Sequence, residues 1–202
     1  MGFPMLYEVG SEIKDLADEA NELIVRARKG DNGAFSVIFE QHSRFIYKFI
    51  YAMLGEGNAA EELTQETFLA AYKNIRGLRG DAQLRTWLCG IAKNVVYKSL
   101  RVRRKEGINS GEQVESLDTQ DDKILPPDEE FLSQELNHLI RGALARLDED
   151  KRLVFTLKEL QHLSYKEISD ITGSAIPKLK TDLHRAKIEM RRSLSPYLEA
   201  KR

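Results

Sequence analysis

The sequence predicts an all-α fold of two small helical domains, an N-terminal helical bundle and a C-terminal helix-turn-helix, joined by a flexible acidic linker. Three observations carry this expectation. Apolar residues recur at helical spacing through most of the 202 residues, and no alternating apolar-polar segment is bounded by hairpin turns. Residues 107–128, GINSGEQVESLDTQDDKILPPD, lose that periodicity, gain acids and end in Pro-Pro. Near the C-terminus, LSYKEISDITGSAIPKLKTDLHRAK has the length, turn and apolar spacing of two helices crossing through a tight turn. The expected domains are therefore 1–106 and 129–202, with 107–128 between them.

The N-terminal helices follow from stop and start signals. A first helix is expected over Glu12–Arg28, stopped by Lys29-Gly30, a cation and a glycine being a common C-terminal pair. A second should run from about Gly33 to Leu54 with Phe35, Ile38, Phe39, Phe45, Ile46, Phe49, Ile50 and Met53 as its apolar stripe, ending at Gly55. Asn58 reads as the N-cap of a third helix, with Glu61 completing a capping box and Leu63, Phe68, Leu69 and Tyr72 inward. Its opposite face carries Glu61, Glu62, Gln65 and Glu66. A fourth helix should begin near Gln83 and bury Leu84, Trp87, Leu88, Ile91 and Val95, leaving Lys93, Asn94, Tyr97, Lys98, Arg101 and Arg104 on its other side.

In the C-terminal half, Glu129–Arg146 and Asp148–Gln161 are expected to be helical, the latter with Leu153, Val154, Leu157 and Leu160 inward. Ser164-Tyr-Lys-Glu167 is a capping box for a helix whose inward positions are Ile168 and Ile171, and Gly173 supplies the exit. Ser169 is small enough for the next helix to cross closely. That helix should start at Pro177, bury Leu179 and Leu183, and present Lys178, Lys180, Thr181, His184, Arg185 and Lys187.

Composition limits the function classes. No apolar run approaches the roughly 18 to 20 residues of a membrane span, and MGFPMLYEVGSEIKD lacks the basic start and apolar centre of a signal peptide, so a cytoplasmic protein without membrane insertion is expected. Cys89 is the only cysteine, which excludes an intrachain disulfide and a thiolate metal cluster. The four histidines are scattered, and no phosphate loop, dinucleotide fingerprint, H-E-x-x-H or nucleophile-base pair occurs, so neither catalysis nor a cofactor is expected. The net charge of -1 hides segregated blocks: Arg76–Lys105 holds nine basic residues and one acid, whereas Glu106–Glu130 holds nine acids and one lysine. A single-sign basic stretch is the footprint of phosphate contact, and Tyr97 among Lys93, Asn94, Lys98 and Arg101 suits stacking on bases beside a phosphate track. The Gly/Arg loop from Arg76 could let backbone approach a nucleotide.

These motifs taken as an ordered set, GDNGAF, AAEELTQETFLAAYKNI, RGDAQLRTWLCGIAKN and LSYKEISDITG, resemble the bacterial sigma factors of the extracytoplasmic-function (ECF) group, over about Asn21–Leu100 and Leu139–Leu194. The resemblance implies a sigma region two and a sigma region four, and a specificity subunit of RNA polymerase that makes and breaks no bonds. It implies that Glu61, Glu62, Leu63, Gln65 and Glu66 dock on the clamp helices of the largest polymerase subunit, and that region four meets the flap of the second-largest. The loop Arg76–Gln83, with Arg79, Gly80 and Asp81, would line a pocket for an unstacked base, and Arg85, Lys93, Asn94, Tyr97, Lys98 and Arg101 would hold the minus-ten element of promoter DNA. Capturing an extruded base offsets the few kcal/mol of opening the duplex and so seeds melting. Lys178, Lys180, Thr181, His184, Arg185 and Lys187 would read the minus-thirty-five element, and an anti-sigma factor is the implied regulator.

Pro177 and Asp182 in the recognition helix, and Thr64 on the polymerase-facing helix, depart from the family pattern; an acid there repels phosphate or accepts from cytosine N4. The competing reading is a stand-alone helix-turn-helix regulator, which leaves the acidic and basic faces of the N-terminal half without a use. The linker acids Asp118, Asp121, Asp122, Glu129 and Glu130 are expected to screen the two basic faces in the free protein.

Overall fold

The computed structural model describes residues 21–78, 84–106 and 130–200, the side chains of 130–135 and 198–200 excepted. The expected start of the first helix, most of the Gly/Arg loop including Arg79, Gly80 and Asp81, and the linker with its screening acids lie outside the described residues. Within them the chain is helical: α1 (21–28), α2 (Asn32–Leu54), α3 (Gly57–Asn74), α4 (Leu84–Lys105), α5 (Glu130–Arg146), α6 (Glu149–Phe155), α7 (Tyr165–Thr172) and α8 (Ile176–Ala200).

Local chemistry sets the ends. The Asp31 carboxylate accepts the Ala34 N–H at 3.0 Å and starts α2. Gly55, at φ 77°, ends it in the left-handed region that a side chain resists, its N–H donating to Tyr51 O. The expected Asn58 cap with Glu61 is not formed: α3 begins at Gly57, and the preceding Glu56 makes no side-chain cap bond. The helix thus starts one residue before Asn58, and Glu56 pairs with Arg103 of α4 at 2.7 Å. Asp148 caps α6 through the Lys151 N–H at 2.9 Å. The single helix expected over Asp148–Gln161 changes after Phe155 into a π-helical turn, Thr156–Leu160. That wider turn shifts the side-chain phase, so Leu160 faces solvent and Gln161 is buried.

In the N-terminal half α2 packs on α3 and α4, and Phe49, Ile50, Met53, Phe68, Leu88 and Val96 fill the space between them. In the C-terminal half α6, α7 and α8 bury Leu153, Leu157, Ile168, Ile171, Leu179 and Leu183, while Ala143, Leu144 and Leu147 of the α5 side meet Ala186 and Met190 of α8. The two halves are not separate bodies. Their apolar side chains form one continuous buried cluster, with α4 lying on α7 and α2 against α5, α6 and the π turn.

Arg152 is the polar centre of that junction. It is 9% exposed. Its Nη1 donates to Met53 O, in the last turn of α2, at 2.7 Å, and its Nη2 donates to Ala145 O and Leu147 O at 2.8 and 3.0 Å. Carbonyls at helix ends have no partner within the helix, and a cation there also meets the negative end of each macrodipole. Replacing the guanidinium with an apolar chain strands these acceptors, so Arg152→Met should lower stability by about 3 kcal/mol in urea denaturation, with Arg152→Lys recovering part of the loss.

Candidate nucleic-acid interface

Helix α4 has two opposed faces. Leu88, Cys89, Ala92, Val95, Val96 and Leu100 point into the core. Burial pushes the Cys89 thiol up to about 12, so it stays protonated and inert. Arg85, Asn94, Lys98 and Arg101 are exposed on the other side, with Lys93 and Tyr97 half-buried among them. Between α3 and α4 runs an open groove of roughly 560 Å³, bordered by Asn74, Gly77, Trp87, Ile91, Asn94 and Lys98. Gly77 lies on its border, and Arg76, the residue before it, is exposed. Trp87, expected in the core, does both jobs: it packs against the Ile38 and Ile75 cluster and lines this groove.

The C-terminal half covers part of this face. Tyr97 hydroxyl reaches Asp150 at 3.4 Å, and burial first, then the Asp150 and Glu149 charges, push its phenol well above the ordinary tyrosine range. Lys93 Nζ donates to Ile171 O at 2.9 Å, in the last turn of α7. Arg85 lies over the Phe45 ring at 3.8 Å and donates to Gln161 O at 3.1 Å. Thr86 reaches Glu167 at 3.3 Å, and Arg104 pairs with Glu149. Tyr97 is therefore not the open stacking platform that its neighbours in sequence suggest, because an acid from a distant element occupies it. Thr86, Glu149 and Asp150 were not singled out in the sequence, and Glu167 only as a local cap, because pairings this remote leave no local signal.

The helix-turn-helix forms as expected. Ser164 Oγ accepts the Glu167 N–H at 3.2 Å while Glu167 accepts the Ser164 N–H at 2.7 Å, which closes the capping box. Gly173 turns the chain at φ 71°, and Ser169 does more than leave room: its hydroxyl donates to Ser174 O at 2.8 Å. α8 buries Leu179, Leu183 and Ala186 and exposes Lys178, Lys180, Thr181, His184, Arg185 and Lys187. Lys178 is held by Asp182 at 2.7 Å and Asp150 at 3.4 Å, and Lys187 by Glu159 at 2.9 Å. The Asp182 side chain is only 14% exposed and turned to Lys178, so it neutralises a neighbour rather than presenting a free acid to DNA.

On α3, Glu61, Glu62 and Gln65 are exposed, and Glu66 pairs with Lys98 at 3.0 Å. Leu63, expected on that face by resemblance, is buried at 7% exposure, and Thr64 is buried with its hydroxyl donating to Ala60 O. Leu69 and Tyr72, expected inward, are 62% and 48% exposed. Helical phase explains this: position 69 follows 62 and 65 on the same stripe, so the acidic face continues into an apolar one.

Among the described residues no helix is long and apolar enough to cross a membrane, and no cluster of three or more His, Cys, Asp and Glu could hold a metal ion. The sigma-70 region 2 family matches residues 38–106, and the sigma-70 region 4 family matches 137–190. The ECF RNA polymerase sigma factor SigW of Bacillus subtilis is 31% identical over 182 residues, covering 85% of this chain and 94% of that protein. The chain belongs to the ECF sigma factors. The ECF sigma-E factor of Haemophilus influenzae is 27% identical over 190 residues, covering 92% and 99% of the two chains. The fold is that of a solved sigma factor, RpoE of Bartonella quintana in complex with the anti-sigma factor NepR, at TM-score 0.65 and 23% identity over 80% of this chain and 96% of that one. As a sigma factor it serves RNA polymerase in promoter recognition and transcription initiation, and the stand-alone regulator is not favoured.

Glu167 connects the recognition motif of this sigma factor to α4, and the connection depends on pH. Hydrogen bonds from Ser164, then from Thr86, hold its carboxyl below the ordinary glutamate value of 4.5. A depressed folded-state pKa means that the unfolded chain binds more protons near that value, so this stabilisation is complete above it and is lost as pH falls through the folded pKa. Thermal midpoints followed from neutral pH into the acid range should fall, and Glu167→Gln should flatten part of that slope while lowering the plateau.

Proposed function

We propose that this sigma factor divides its work among three faces: the α3 stripe docks on the clamp helices of the largest polymerase subunit, α4 with the groove beside Trp87 captures the opened minus-ten strand, and α8 reads the minus-thirty-five duplex. The observation that carries this reading is the α4 helix, whose inner face is core and whose outer face keeps Asn94, Lys98 and Arg101 exposed, the first two lining an open groove. A groove lined by Lys98, Asn94 and Trp87 suits a single strand, for which stacking and phosphate contact supply affinity with little demand on sequence. Opening the duplex is then binding work without chemistry, so the sigma factor is a non-catalytic subunit that acts in the cytoplasm with the polymerase.

The assignments sharpen on the geometry. Leu69 and Tyr72 join Glu61, Glu62, Gln65 and Glu66 as docking residues, since an apolar centre edged by charge is how protein interfaces are built, while buried Leu63 supports the helix from behind. On α8, Lys180, Thr181, His184 and Arg185 are the groove-facing contacts, with Lys178 and Lys187 available once their acid partners release them. Capture of the extruded base is proposed for Arg76 together with Arg79, Gly80 and Asp81, the last three outside the described residues. An anti-sigma factor, such as the partner of the Bartonella relative, is proposed as the regulator, and domains over 1–106 and 129–202 as the units that core polymerase and DNA move.

Run-off transcription from a promoter library, using sigma-free core polymerase with and without the sigma factor, tests the reading. Stoichiometric co-elution and new discrete start sites are expected; a chain that shifts duplex DNA alone but neither binds core nor initiates overturns it. Leu69→Ala with Tyr72→Ala should weaken binding to core about tenfold or more in a titration, leaving helicity unchanged. Lys98→Ala and Arg101→Ala should each lower the salt dependence of single-strand capture, the slope of log K against log salt falling by about 0.7 for each phosphate that is no longer neutralised.

A further inference from the structure

Among the described residues, two acids at the start of α6, Glu149 and Asp150, meet the DNA-facing helix. We infer that, in the free sigma factor, Glu149 and Asp150 stand in for the phosphates of a promoter strand, masking α4 against single-stranded DNA while the outer surface of the recognition helix stays accessible. This rests on the assignment of α4 to the opened strand.

The geometry is specific. Glu149 takes Arg104, and Asp150 lies 3.4 Å from both the Tyr97 hydroxyl and Lys178 Nζ, so one carboxylate joins the proposed minus-ten helix to the first turns of the recognition helix. Backbone carbonyls complete the imitation: Lys93 Nζ sits on Ile171 O and Arg85 on Gln161 O, oxygen acceptors placed where phosphate oxygens are needed. A strand cannot use these donors while the C-terminal half holds them. The recognition helix is treated differently. Of its outward residues, Lys180, His184 and Arg185 remain exposed, whereas Lys178 is drawn into the seam by Asp150. Masking is therefore unequal, heavy on strand capture and light on duplex reading.

The seam is also built to open. A cavity of roughly 270 Å³ lies within it, lined by Lys93, Asn94, Tyr97, Asp150, Ser174 and Lys178, so the polar contacts rim a void rather than a packed surface. Partly exposed ion pairs are individually weak and are screened by salt, whereas the apolar cluster beneath and the Arg152 contacts are not. Charge thus supplies the part of closure that a polyanion can displace.

The test uses full-length protein. Glu149→Gln with Asp150→Asn is compared with wild type and with Glu22→Gln plus Glu40→Gln, a control that changes net charge equally at exposed positions away from the seam. Fluorescence anisotropy is read at low salt on a labelled single-stranded oligonucleotide of mixed sequence and on its duplex. The seam variant should bind the single strand about five- to tenfold more tightly, with duplex affinity changed less than about twofold and the gain shrinking as salt rises. No gain on the single strand, an equal gain on duplex, or an equal gain by the control would overturn the inference. Asp150→Asn alone, at an exposed residue with no capping bond, carries the test if the double variant loses helicity. Run-off transcription with core polymerase runs in parallel: initiation by all three proteins with no single-strand gain sinks the masking and spares the sigma reading, whereas absence of initiation from every protein sinks the sigma reading on which the masking depends.

Discussion

One guanidinium, that of Arg152, ties the ends of helices that belong to different halves of the chain. The last turn of α2 and the region where α5 gives way to α6 each offer carbonyls that no helical N–H can reach, and the same side chain serves both. It sets α6 beside α2, aims the capped start of α6 at α4, and so brings Glu149 and Asp150 to Arg104 and Tyr97. A buried arginine is a costly fastener, since its charge must be fully met by acceptors. Its Nε finds no protein acceptor, which leaves this junction less completely satisfied than a plain apolar contact.

Helix α4 carries the other constraint. Its small and apolar inner side lets α2 and α3 pack closely, and α7 covers one flank of it, so little of its circumference is free. The residues proposed for strand capture are confined to what remains. Asn94, Lys98 and Arg101 are open to solvent, whereas Lys93, Tyr97 and Arg104 are engaged by the C-terminal half. The donors proposed for DNA are used here in contacts between the two halves, and the two uses exclude each other. Protein partners and nucleic acid can regulate such a molecule without any change within its helices, simply by competing for a shared set of side chains.

Family membership and geometry bear on different aspects of the molecule. Similarity to the ECF sigma factors fixes the polymerase as the setting and promoter initiation as the task. Exposure and pairing then decide which residues are available for it. The α3 stripe illustrates the division: the acidic positions were expected from resemblance, but the strongly exposed Leu69 gives that stripe an apolar centre on which a protein can bury area.

The sequence by itself determined the all-helical class, the capping box at Ser164 and Glu167, the glycine exits at Gly55 and Gly173, and the outward basic residues of α8, because each depends on neighbours within a turn or two of helix. It also contained the exposure of Leu69, which follows from helical phase once Glu62 and Gln65 are placed outside. Tertiary structure alone decided the rest. Arg103 takes Glu56, Asp150 takes Tyr97, and Ile171 O takes Lys93. Each of these is a contact that becomes available only when elements far apart in the chain are packed, where burial and charge outweigh local preference. Periodicity reports which face of a helix is apolar, but not which distant acid will meet the polar one.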